Sequence, residues 1–325
     1  MPIEQAQAQH TLRHEDTLLL LGSCFSDEVG ARLEHLGHPA SYNPLGTMFN
    51  PASIERTVDW IASGEPATSE SVARCDRQGL YYCYDAGTGH SHEDEEACVA
   101  GLNQSLEEAR ATLSDCKALF LTLGSAWTYV LRSTGKIVAN CHRQPHSQFE
   151  RRLLEPAAVA EHVHGAVESA RRVNPGLRVV LTVSPVRHWR EGAVASSRSK
   201  AVLLTAVHQV CDAVPGASYF PSYEVVMDEL RDYRWFADDM LHPSAAAVDY
   251  VTRRLLRSHF ASADDHLRSE VSKIRAAANH RHARPHSTSA RDFAQRQLAE
   301  ANRIGSACPY VHLDDEIAWF RSMAA

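Results

Sequence analysis

Serine, aspartate and histidine stand at positions that suit a nucleophilic hydrolase. Ser23 follows an apolar run at residues 17–21 and precedes an amphipathic segment, so we expect it between a buried strand and a helix N-terminus. Asp239 and His242 are three residues apart, close enough for the carboxylate to orient the imidazole. Imidazole titrates near neutral pH and can take the proton of a serine hydroxyl. Each fragment alone has a plainer structural interpretation, with Ser23 as a helix cap and His242 as a structural histidine.

Other side chains compete for these roles. Asp238 is a second candidate for orienting His242, and spacing alone does not separate it from Asp239. Cys24 is an alternative nucleophile, because a thiol beside a helix N-terminus can be activated as a thiolate. Adjacent side chains point in different directions, so only one of Ser23 and Cys24 can serve.

A metal centre is a further alternative. Zinc takes three or four ligands, and the adjacent Cys141 and His142 point apart, so we predict neither a metal site nor another cofactor. The side chains that this alternative would have to bring together are His142, His146, His188, Asp239 and His242.

Strand-like and helix-like segments alternate along the chain, which predicts an α/β fold with a mostly parallel sheet and three α/β/α layers. Ligands of such sheets bind outside the carboxyl ends of the strands. That rule brings residues 22–25, 124–126, 184–188 and 221–243 to one edge. The predicted strands are residues 17–21, 118–123, 178–183 and 217–220, and the main predicted helices are 27–36, 50–61, 94–113, 156–173, 199–214 and 244–260.

Longer motifs surround these residues in a fixed order. They are LGSCF (21–25), NPLGTMFNP (43–51), LGSA (123–126), ANCH (139–142), SPVRH (184–188), SK (199–200), FPSYE (220–224), DELRDYR (228–234) and DMLHPS (239–244). Together they resemble the GSCFA family of the SGNH/GDSL hydrolase superfamily over residues 17–256. The resemblance implies a flavodoxin-like SGNH-hydrolase fold, with Ser23 as nucleophile and Asp239 and His242 as its partners.

The resemblance also implies an oxyanion hole with one departure. Its backbone donors would be Ser23 and Gly46, and the superfamily completes the hole with an asparagine after the central strand. Ala126 stands at that position here. Loss of one oxyanion donor costs about 100- to 1,000-fold in rate, so we expect a substitute donor. The candidates are Asn43, Asn140 and Ser125.

Several polar residues near the predicted strand ends are candidates for substrate binding. Arginine and histidine there can bind a carboxylate or phosphate, or they can form a structural network. The candidates are Cys24, Ser125, His142, Arg187 and His188.

The predicted reaction is ester hydrolysis through a seryl acyl-enzyme, as in an esterase or deacetylase acting on a small-molecule or acylated substrate. An O- or N-acyltransferase would use the same triad with a hydroxyl or amine acceptor. A binding module that keeps the fold but has weakened catalysis is the third alternative, because of Ala126.

Bulk properties limit the partners and the compartment. A net charge of −7 gives no indication of nucleic-acid binding. We see no secretory signal at the N-terminus and no apolar run of about 18 residues that could span a membrane. The eight cysteines are scattered without a CxxC pair, which predicts reduced thiols and a cytoplasmic location.

Two domains are predicted. Residues 1–260 form the catalytic domain, and residues 261–325 form a helical extension that contains the basic, histidine-rich linker 279–291. Ile317, Trp319 and Phe320 near the C-terminus must either pack on the protein or form a homodimer interface.

Overall fold

The computed structural model describes residues 3, 8, 11–280 and 287–324. Most of its elements belong to an alternating α/β unit, followed by helices only. The elements are β1 (Leu18–Gly22), α1 (Cys24–His35), β2 (Ala40–Tyr42), α2 (Pro51–Ser63), β3 (Ala73–Cys75), β4 (Leu80–Tyr82), α3 (Glu95–Asp115), β5 (Ala118–Leu123), β6 (Trp127–Leu131), β7 (Ile137–Val138), β8 (Phe149–Leu153), α4 (Pro156–Val173), β9 (Arg178–Val183), α5 (Gly192–Ala213), β10 (Ala217–Tyr219), α6 (Ser222–Glu224), α7 (Ala245–His259), α8 (Asp265–Ala278), α9 (Thr288–Ala307) and α10 (Asp314–Ala324).

The central sheet has five parallel strands in the order β10-β9-β5-β1-β2. Read from β2, this is the 2-1-3-4-5 order of flavodoxin-like sheets. The predicted parallel α/β fold is therefore confirmed, and every residue of β1 and β5 is buried. β2 was not predicted, because its three residues are only half-buried and form no apolar run.

Helices cover both faces of this sheet. One apolar cluster joins the sheet to α2, α3, α4 and α5, and a second joins it to α1 and α7. Two helices begin earlier than predicted: α1 at Cys24, directly after its cap Ser23, and α5 at Gly192. The predicted limits of α4 and β9 agree with the structure.

Small antiparallel sheets lie between β2 and α4 in the chain. β3 pairs with β4, and β6 pairs with both β7 and β8. β6 and β7 form a hairpin around Gly135, which has a φ of 72° in its turn.

The helices α8, α9 and α10 form a separate apolar core. Phe320 is completely buried there, with Ile317 and Trp319 packed against the same core. This packing favours an internal role for these residues over the predicted homodimer interface. Residues 281–286 of the predicted linker lie outside the described residues. The extension contacts the α/β unit where His14 Nδ1 lies 3.2 Å from the hydroxyl of Tyr310.

Candidate functional site

Ser23 lies at the carboxyl end of β1 and is the N-cap of α1. Its backbone is extended (φ −69°, ψ 169°), and its Oγ accepts the N–H of Phe25 at 3.3 Å. Ser23 is 0 % exposed. The capping role expected from the plainer interpretation is therefore present. The same position puts the hydroxyl at the positive end of the helix dipole, which favours a developing negative charge on oxygen.

Asn43 holds the turn between β1 and α1. Its Oδ1 accepts the N–H of Gly22 at 2.8 Å, and its Nδ2 donates to Asp27 Oδ1 at 2.7 Å and to the Ser23 carbonyl at 3.3 Å. Burial raises the pKa of Asp27, and the bond from Asn43 opposes that rise. The amide of Asn43 is occupied by these contacts, which argues against its use as an oxyanion donor.

The two backbone N–H groups that the resemblance assigns to the oxyanion hole already have acceptors. The N–H of Ser23 donates to the Thr122 carbonyl at 3.0 Å, and that of Gly46 donates to the Asn43 carbonyl at 2.7 Å. Neither is free in this arrangement. Gly46 has a separate structural requirement, because its φ is +90° and a Cβ there would lie 2.6 Å from Cα of Gly87.

Asp239 and His242 form the hydrogen-bonded pair that the spacing predicts. His242 Nδ1 lies 2.6 Å from Asp239 Oδ2, while Asp239 Oδ1 accepts the N–H groups of Leu241 and His242 at 2.9 and 3.0 Å. These bonds, led by the His242 backbone N–H, lower the pKa of Asp239 to about 2. The carboxylate therefore stays ionised and orients the imidazole, which makes Asp239 rather than Asp238 the orienting residue.

The pair sits in a tight loop before α7. The N–H of Ala237 donates to the His242 carbonyl at 2.8 Å, and Ser244, two residues after His242, caps α7. α7 packs with α1 in one apolar cluster that includes Phe25 and Val248. The helix that begins beside Ser23 and the helix that begins beside His242 therefore share one face of the sheet.

His188 connects this loop to the ends of the central strands. Its ring meets that of Phe49 edge-on, with centroids 4.9 Å apart, and the Phe49 carbonyl accepts the N–H groups of Gly124 and Ser125 at 2.9 and 2.7 Å. The pKa of His188 falls to about 4, chiefly through burial and then through the charges of Lys200 and His242. His188 therefore lies near the ends of β5 and β9, within electrostatic range of His242.

Lys200 is a site residue that the sequence reasoning did not single out. It is 2 % exposed, and its Nζ donates to the carbonyls of Gly124 at 2.7 Å and Ser184 at 2.6 Å, at the ends of β5 and β9. Burial, followed by the charge of Arg187, lowers its pKa to about 7. The signal in the sequence was the SK motif (199–200), and in the structure Lys200 lies on the buried stripe of α5 with Leu203 and Val207.

Other predicted site residues have structural partners. The Ser125 hydroxyl lies 3.3 Å from that of Ser199 and accepts the Trp127 N–H at 3.1 Å. The Ala126 N–H donates to Ser199 Oγ at 2.7 Å, and its side chain lies in the core. His142 is 3 % exposed and uses Nε2 to hold the carbonyls of residues 83 and 86 at 2.7 and 3.1 Å. These contacts argue against substrate binding by Ser125 and His142.

The structure argues against the role predicted for Cys24 and leaves the role predicted for Asn140 untested. Burial, with Asp27 next, raises the pKa of the Cys24 thiol, so the helix N-terminus does not activate it as the alternative nucleophile requires. Asn140 Oδ1 accepts the His142 N–H at 2.8 Å, and a role for its amide nitrogen at the oxyanion stays a prediction.

Two large cavities lie away from Ser23 and His242, which line neither of them. One of about 990 Å³ follows edge strand β10 beside His259, and one of about 780 Å³ lies between α2 and β7.

Over residues 3, 8, 11–280 and 287–324, no group of three or more His, Cys, Asp and Glu side chains is placed to hold a metal ion. Within the same ranges, no helix is long and apolar enough to cross a membrane. All eight cysteines are free thiols.

Comparison with known proteins gives a family for both parts of the chain. The model of the GSCFA family matches residues 17–255, and the model of the GSCFA domain protein, C-terminal domain, matches residues 271–325. No curated protein matches the chain. The first match spans most of the chain, including β1 to β10 and the loop that carries Asp239 and His242. The chain therefore belongs to the GSCFA family.

Proposed function

We propose that this protein is a serine hydrolase of the SGNH type that cleaves an ester through a seryl acyl-enzyme. The observation that carries the proposal is the Asp239–His242 pair, joined at 2.6 Å in the loop before α7, and it is supported by the position of Ser23 at the end of β1 as the N-cap of α1. An imidazole held through Nδ1 presents Nε2 as the base, which is the arrangement that serine nucleophiles require. Lys200 binds the carbonyls of Gly124 and Ser184, which follow β5 and β9, and His188 comes shortly after β9 in the chain.

In the proposed reaction, His242 Nε2 takes the proton of Ser23 as Oγ attacks the ester carbonyl. Asp239 holds the imidazole and stabilises its charged form. The alcohol leaves with the proton from His242, and water then releases the acid from Ser23 by the same base. For the oxyanion we propose the N–H of Cys24, because the first N–H groups of a helix lack acceptors within that helix.

Fluorophosphonate labelling tests the nucleophile. Labelling should map to Ser23, disappear in Ser23→Ala, and persist in Cys24→Ala. His242→Ala should slow it by at least about 100-fold, the usual contribution of a general base. His164→Ala is the matched control, because its side chain is 51 % exposed against 50 % for His242 and it also faces a carboxylate, that of Glu168 at 3.7 Å.

Acyl transfer to a hydroxyl or amine is the second candidate. Ser23 is 0 % exposed, and a shielded acyl-enzyme favours an acceptor that enters the site over bulk water. Product analysis with an acyl donor, with and without added alcohol, separates the two reactions. If folded protein gives no Ser23 labelling at all, a binding module with weakened catalysis is the better description.

A further inference from the structure

Arg187 and His188 follow β9 and carry buried nitrogen atoms that the protein leaves without a partner. Arg187 Nη2 donates to Ser197 Oγ at 2.8 Å, but its Nε is buried and has no hydrogen bond among the described residues. His188 Nε2 is buried and unpartnered in the same part of the chain. Buried polar groups normally have partners, because a buried nitrogen without a hydrogen bond has lost its water and gained nothing in return.

A third basic side chain, that of Lys200, lies at the same strand end. Lys200 Nζ is fixed by the carbonyls of Gly124 and Ser184, the residues that follow β5 and β9. The charge of Lys200 acts on His188, and the charge of Arg187 acts on Lys200. The nearby carboxylates already have partners: Asp239 binds His242, and Asp27 binds Asn43. Arg187 is the permanent cation of this group, and among the described residues its Nε has no hydrogen bond.

The geometry points to an anion subsite at Arg187 and His188, which would hold a carboxylate or phosphate group of the substrate beside Ser23. An anion there would accept from the charged Arg187 at Nε and from His188 when its neutral ring carries the hydrogen on Nε2. Both residues are half-exposed as a whole, so the site lies at the surface, although the two nitrogen atoms themselves are buried. The substrate assignment rests on the proposed hydrolase function, whereas binding of an anion can be measured without turnover.

A matched pair of esters tests the subsite. Phenyl acetate and 3-acetoxybenzoate share the acetyl group and differ by one meta carboxylate on the leaving group. We expect kcat/KM to favour 3-acetoxybenzoate by at least about tenfold, the value of one charge-assisted hydrogen bond. Arg187→Gln should remove most of that preference. Arg198→Gln removes the same charge from an exposed position on α5 and should change the preference by less than about twofold.

Calorimetric titration with sodium phosphate and with sodium benzoate, at constant ionic strength, distinguishes the two anions. Saturable binding of either salt that Arg187→Gln weakens at least about tenfold supports the subsite, even if Ser23 proves unreactive. In that case the proposed hydrolase function fails and the binding site stands. His188→Gln is the second variant if Arg187→Gln does not fold. Equal kcat/KM for both esters, together with no saturable binding in the wild type, would overturn the inference.

Discussion

Replacement of Lys200 by methionine gives the sharpest physical prediction. The Lys200 side chain is buried. The pKa of its amine is lowered from 10.5 to about 7, first by burial and second by the charge of Arg187. The unfolded chain therefore binds a proton that the native protein has lost at mildly alkaline pH, so stability rises with pH across that window. The neutral amine still has two N–H groups, enough for the carbonyls of Gly124 and Ser184.

The magnitude follows from the two pKa values. Between about pH 6.5 and about pH 9, the free energy of unfolding of the wild type should rise by about 2.5 kcal/mol relative to Lys200→Met. Methionine has no ionisable proton, so the pH dependence of stability in the Lys200→Met variant contains every other titration except that of Lys200. The gain should be nearly absent below about pH 6, where both states of the wild type are protonated.

Urea unfolding followed by tryptophan fluorescence at both pH values measures the difference. Lys117→Met is the control, because Lys117 is exposed and should leave the pH dependence unchanged within about 0.5 kcal/mol. A Lys200→Met difference that stays constant from pH 6.5 to pH 9 would refute the reasoning. It would mean that the lysine keeps its proton in the fold, with the carbonyls compensating for burial.

Three further changes test the scaffold around the site and the extension, and one tests acid sensitivity. Asn43→Ala removes the bonds that hold the β1–α1 turn and puts alanine at a φ of 43°, so we expect a loss of about 2–4 kcal/mol in urea unfolding and slower Ser23 labelling. Gly46→Ala should lower the free energy of unfolding by at least about 2 kcal/mol, because its Cβ would meet Gly87. Gly79→Ala is the control: nothing lies within 4 Å of the new Cβ, so this variant should lose less stability if packing is the cause. Phe320→Ala should cost about 3–5 kcal/mol in the helical extension, and an unchanged melting curve would contradict the packing described for it. Burial is the chief reason that the pKa of His38 is lowered to about 2. The wild type should therefore lose stability as pH falls below about 6.5, by about 2 kcal/mol at pH 5. In acid titrations His38→Gln should flatten that loss.

Much of the fold could be predicted because its signals are local. β5, β9 and α4 have apolar patterns that identify both their type and their limits. The start of α5 was missed by seven residues, since Gly192 to Arg198 carry little apolar periodicity. For residues 261–325 the sequence predicts a helical extension, and the structure has α8, α9 and α10 there, with apolar residues that form their own core.

The candidate site divides in the same way. The amino-acid sequence by itself determined which residue types stand at the strand ends, and a spacing of three residues was enough to place Asp239 on His242. It could not show that the polar atoms of Asn43, Ser125 and His142 form hydrogen bonds within the scaffold, because their partners lie far away in the chain. It also could not show that Lys200 loses its contact with water under two strand ends. Hydrogen-bond partners and burial are properties of the packed structure, so only the tertiary structure decided which of these polar residues remain for a substrate.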